Sequence, residues 1–177
     1  MGKTQRRSRR SINAVILLVL ALLMQSIQFI SSISVTPWAP YVALSLALGV
    51  MIASVELSGP KTAVLIGMAC PVLCWIQGVY QISTMLFTML GNTILVIGLW
   101  EFRDFSIRGR LTSFLLLALT RFMILSLGMA CMMVFLKDQS WLSSIYTAAL
   151  TMRAQGFGSL IAAVVAYIWL RVAGVTE

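Results

Sequence analysis

Histidine is absent from this chain. With it go the commonest metal ligand and the commonest side chain for proton transfer near neutral pH. A Ser-His-Asp triad or a His-bearing zinc site is thereby excluded. Acids are scarce too: five Asp and Glu stand against thirteen Lys and Arg. None of the five is central in an apolar run, so there is no carboxylate pair for acid–base work and no intramembrane acid to couple transport to protons or sodium. No Gly-x-x-x-x-Gly-Lys-Ser/Thr loop occurs, which excludes ATP hydrolysis by that route. The three cysteines are Cys70, Cys74 and Cys131. Cys70 and Cys74 stand i,i+4 in an apolar run and read as small buried hydrophobes, since a metal or disulfide pair would want flanking polar groups and further ligands. The sequence implies no cofactor and no catalytic centre. It suits a binder or an interaction subunit.

What the chain has is apolar sequence. Its 177 residues are 60% hydrophobic and 10% charged, with a mean hydropathy of +0.97. This predicts an all-α integral membrane bundle, with room for six transmembrane helices of ~20 residues each and no separate soluble domain. The expected spans are 11–33, 40–57, 61–80, 83–100, 111–136 and a last stretch over 140–172. That stretch is too long for one span. It carries Arg153, Gln155, Gly156 and Gly158, so it reads as a loop or half-helix over 141–151, a break at 152–158, and a span from about 155 to 171. Residues 1–177 form one domain, with 1–10 as a basic cytoplasmic tail. The apolar run after that tail is too long for a signal-peptide core and no small-residue cleavage site follows, so it reads as an uncleaved first helix.

Charge sets the expected orientation. Lys3, Arg6, Arg7, Arg9 and Arg10 precede span one, Glu56 and Lys61 lie at the turn between spans two and three, Arg103, Arg108 and Arg110 lie between four and five, and Arg171 closes span six. The alternate connections carry only Lys137 and Asp138. Both termini are therefore expected in the cytoplasm. The net charge of +8 abuts a membrane helix without an aromatic–basic surface, so the expected partner is the lipid bilayer and not nucleic acid.

Within the apolar sequence, 58–100 is unusual. Gly59-Pro60, Gly67, Pro71, Gln77-Gly78 and Gly91-Asn92 recur through it. Small and helix-breaking residues are tolerated in a bilayer where helices pack closely or line a cavity. Arg121 falls near the middle of span five, where insertion costs at least ~2.5 kcal/mol. It must face the interior, either as an anion partner for a ligand or in a lock with Asn92 or backbone carbonyls. Asn92 reads as an interhelical hydrogen bonder or a ligand contact, and Arg153 as a ligand contact or an interface residue. Trp38, Gln77, Tyr80, Gln81 and Trp141 gather at the outer ends of the helical hairpins. An aromatic belt accounts for them singly; together with Arg153 they suit a small-molecule pocket in the outer half.

The chain resembles the S components, the substrate-binding membrane subunits of energy-coupling factor (ECF) vitamin transporters. The resemblance rests on the basic tail and Ala/Leu-rich first helix, G-P-K-x-A-x-x-x-G-x-x-x-P from Gly59 to Pro71, Gly91-Asn92, the basic Arg121 and Gly156-Phe157-Gly158, in that order over most of the chain. It departs in lacking an Ala-x-x-x-Ala pair in the first helix, Ala14 and Ala21 being seven apart, and a Pro late in the sixth. The resemblance implies a subunit of the cell membrane that captures a vitamin or related nutrient from outside. It would pass the nutrient inward with a transmembrane coupling subunit and two cytoplasmic ATPases. The alternative, of a different class, is a structural membrane subunit of the cell-wall elongation machinery, similar to the rod-shape-determining protein MreD.

Overall fold

The computed structural model describes residues 3–33, 39–102 and 107–172, with side chains over 11–27, 41–102, 109, 111–168 and 171–172. Trp38 and Arg103 lie outside the described residues. So do the side chains of the basic residues before Ser11, of Arg108 and Arg110, and of Trp169. The described residues form six helices: α1 (Lys3–Ile33), α2 (Ala39–Leu57), α3 (Pro60–Ile76), α4 (Ile82–Glu101), α5 (Ile107–Lys137) and α6 (Trp141–Val172). Three segments are long and apolar enough to cross a membrane: Ile82–Glu101, Leu111–Lys137 and Trp141–Ile168. Ser11–Ile27, Tyr41–Leu57 and Pro60–Ile76 are shorter apolar helices.

The distribution of side chains is that of a lipid-facing bundle. Gln25, Thr84, Asn92, Arg121, Gln155 and Ser159 are buried, while Leu65, Leu86, Leu90, Leu116 and Val165 are exposed. Water would favour the reverse, and contiguous apolar surface on this scale suits hydrocarbon. Several buried hydroxyls bond back to their own helix: Thr88 donates to the Thr84 carbonyl at 2.7 Å and Ser159 to the Gln155 carbonyl at 2.6 Å.

α2 is the inner helix. Ala43, Leu44, Ala47, Leu48, Met51 and Val55 are all buried, and α2 packs on α1, α3, α4 and α6. α1 also packs on α3, α3 on α4, and α5 on both α4 and α6. α4 and α6 do not pack directly on each other, and the site described below occupies the space between them.

Two elements differ from the sequence expectation. α6 is one continuous helix from Trp141 to Val172, not a half-helix, a break and a span. Its glycines are contact points and not breaks: a Cβ on Gly156 would come within 2.7 Å of the Phe122 ring, and one on Gly158 within 2.9 Å of Leu44. Close approach of neighbouring helices is the common use of small residues in membrane sequence. α3 ends at Ile76, earlier than the 61–80 expected. Gly78 adopts φ +74°, Val79 N–H donates to the Cys74 carbonyl at 2.9 Å and Gly78 N–H to that of Trp75 at 3.0 Å. This is the left-handed glycine termination of the Schellman motif. At its other end α3 starts on Gly59, with φ +96°, and Pro60 in its first turn, where the missing proline N–H costs nothing.

Candidate functional site

The site begins with a proline. Pro71 lies inside α3 and has no N–H to offer the carbonyl four residues earlier, that of Gly67. In hydrocarbon such an orphan carbonyl is costly, and a neighbouring helix must supply the donor. Asn92 of α4 does so, its Nδ2 donating to Gly67 O at 2.8 Å. The approach depends on Gly67 having no side chain, since a Cβ there would lie 3.1 Å from Asn92 Cβ and 3.0 Å from Met51 Sδ.

With its amide nitrogen so used, Asn92 turns its carbonyl oxygen to Arg121 of α5, whose Nε donates to it at 2.7 Å. Arg121 is fully buried. Its Nη1 donates to Ser159 Oγ at 2.6 Å and to the Gln155 carbonyl at 3.3 Å, and its Nη2 to Gln155 Oε1 at 2.7 Å. Four of the five guanidinium N–H groups are thus engaged by neutral oxygens of α4 and α6. Gly91 makes room for the arginine stem, since a Cβ there would meet Arg121 Cγ at 3.1 Å. Gln155 continues the chain, its Nε2 donating to the Tyr80 hydroxyl. The network therefore runs from the α3 backbone through α4, α5 and α6 and returns to the α3–α4 turn. It joins α4 to α6 by hydrogen bonds through Arg121, where the two helices do not pack directly.

Two voids adjoin this network. One, of about 10 Å³, lies among Gln25, Met51, Gly67, Tyr80, Asn92 and Arg121. That is room for about one water molecule at most. The other, of about 410 Å³, lies toward the end of the bundle that carries the α3–α4 and α5–α6 turns. Its volume is within the roughly 300–1,000 Å³ usual for small-molecule sites. Tyr80 lines both voids. The larger one is lined by Tyr80, Gln81 and Thr84 at the start of α4, by methionines and Lys137 from the end of α5, and by Thr151, Met152 and Gln155 of α6. Gln155 and Tyr80 form its floor, so the lock and the cavity share a wall.

Of the residues singled out in the sequence, Tyr80 and Gln81 line this cavity, and Asn92 and Arg121 stand in the network beneath it. Gln77 does not line it; its Nε2 donates to Ser26 Oγ of α1 at 3.4 Å. Trp141 is half-exposed and stacks edge-on against Phe135, with ring centroids 6.1 Å apart. Arg153 lies on another face of α6, beside Leu119, Phe122 and Phe157 in an apolar groove, because α6 runs unbroken and turns it away from Gln155. Residues that the sequence reading does not place in a site are Gln155, which it reads as part of a helix break, Ser159, Thr84 and the cavity methionines. A signal for them exists: Gln155, Ser159, Ala162 and Ala166 fall on one helical stripe, as do Thr84, Thr88, Asn92 and Leu95 on α4, and all eight are buried.

Among the described residues no group of three or more His, Cys, Asp or Glu is placed to hold a metal ion. No family model, curated protein or solved structure matches the chain.

Proposed function

We propose that this chain is the solute-binding membrane subunit of an ECF-type importer, and that it binds its solute in the 410 Å³ cavity between α4, α5 and α6. That cavity is the observation that carries the reading: it is of small-molecule size, walled by apolar and hydrogen-bonding groups, and floored by a rigid polar network. The order of sequence motifs supports it too, because Gly67, Pro71, Gly91, Asn92 and Arg121 meet in that network.

In this reading all six helices cross the bacterial or archaeal cell membrane. α1, α2 and α3 do so with apolar segments near the lower end of the roughly 17–25 residues a span needs. Both termini are cytoplasmic, and the cavity faces outward. The chain binds a vitamin or related nutrient and is not itself an enzyme. A transmembrane coupling subunit and two cytoplasmic ATPases supply the energy.

The test is mass spectrometry of small molecules released from protein purified in mild detergent, alongside Thr84→Phe, which fills the cavity from α4. A defined solute should be released from the parent and be strongly reduced in the variant. No solute from either protein, with cell-wall elongation proteins co-purifying, would replace this reading by the structural one.

A further inference from the structure

We infer that the solute is a monoanion with a flat aromatic body, its anionic group at Lys137 and its ring against the methionines. The inference rests on the solute-binding reading above and narrows it to a chemical class. Lys137 is the one charged residue among the described residues lining the cavity. Asp138 follows it but does not line the cavity. A cation at the rim of a cleft with low-dielectric walls draws anions in and keeps cations out.

The buried arginine does not compete for that anion. Four of its donors are held by Asn92, Gln155 and Ser159, and it is absent from the lining of this cavity. The negative end of the solute therefore belongs at the mouth, by Lys137, and its uncharged end at the floor. Met129, Met132 and Met133 come from one face of α5, at i,i+3,i+4 spacing, and Met152 faces the same space from α6. Thioethers are polarisable, fit themselves to a flat surface and make favourable contacts with aromatic rings. Met129 Sδ is in turn held 3.5 Å from the Thr84 hydroxyl. Gln81 offers a neutral amide to heteroatoms on the ring edge, and the Thr84 oxygen and the second Nε2 hydrogen of Gln155 add an acceptor and a donor beside the bonds they already make.

Titration calorimetry of the purified full chain with three probes tests this: 2-naphthoate, its neutral amide 2-naphthamide, and 1-adamantanecarboxylate, an anion without a flat ring. Naphthoate should bind tightest. Lys137→Gln should weaken naphthoate about threefold to fivefold, the scale of a rim ion pair, and leave naphthamide unchanged, while Lys137→Arg should retain naphthoate. Partition of probe into detergent is the same for all three proteins and cancels in that comparison. Met132→Leu combined with Met133→Leu should narrow the preference for naphthoate over adamantanecarboxylate. The class is overturned if Lys137→Gln weakens naphthamide as much as naphthoate, or if it leaves naphthoate binding unchanged. It is also overturned if none of the probes binds at concentrations on the order of 10 mM. A neutral or cationic solute recovered from the purified protein would overturn the class while supporting solute binding; binding of none of the probes together with recovery of no solute would overturn both.

Discussion

At the scale of single residues, the account turns on a carbonyl that Pro71 leaves without its helical donor. Asn92 donates to that carbonyl and accepts from Arg121, so Asn92→Ala removes two buried hydrogen bonds together. The expected cost is about 1–3 kcal/mol, read by unfolding of the purified variant. The Pro71→Ala background makes the argument specific. Restoring the N–H at position 71 gives Gly67 O a donor within its own helix, so Asn92→Ala should then cost about 1 kcal/mol less than in the parent. Equal costs in the two backgrounds would mean that the carbonyl is not what Asn92 serves. Arg121→Leu should insert normally but lose about 1–3 kcal/mol, because Asn92 Oδ1 and Gln155 Oε1 lose their donor. Lys should rescue it only in part, since an ammonium cannot span acceptors on two helices as the guanidinium fork does. A variant Arg121→Leu as stable as the parent would show that the network does not brace the bundle.

At the scale of elements, the six helices were legible in the sequence, and the reason is physical: backbone polar groups in hydrocarbon leave the helix as the one open-ended choice. The Asn92–Arg121 pairing was legible from depth alone, since both fall near the middle of their helices. α6 was misread because Arg153, Gln155, Gly156 and Gly158 look like punctuation when taken in line. In three dimensions they separate by face: Gln155 joins the network, Arg153 lies in the groove by Phe122, and the glycines admit Phe122 and Leu44. Linear sequence does not say which neighbour fills a glycine's empty space. Hydrogen exchange checks the correction: amides of 152–158 should be as protected as those of 160–166, whereas fast exchange confined to 152–158 would restore the break. Close contact makes a matching prediction for Gly156→Leu, which should destabilise the protein by about 1–3 kcal/mol by forcing α6 off α5 at Phe122, measured in the same unfolding assay.

At the scale of the whole molecule, α4 and α6 are joined through Arg121 of α5 and not by direct packing. A cavity lies at one end of the bundle and a lock at mid-depth, and the proposed orientation, read from the basic connections, has the cavity end facing outward. In a background lacking Cys70, Cys74 and Cys131, Gln139→Cys should react with a membrane-impermeant thiol reagent on intact cells, and Arg108→Cys only after permeabilisation. The cavity itself is tested most directly by Thr151→Cys in that background, compared with Leu150→Cys. The two positions are neighbours in α6 at the same depth, but Thr151 lines the cavity and Leu150 does not. The account predicts that Thr151→Cys reacts from outside, that solute extracted from the purified parent protects it, and that Leu150→Cys stays unreactive. Reaction at both positions alike, at neither, or at Thr151→Cys only from the cytoplasmic side would contradict an outward-facing solute cavity between α4 and α6.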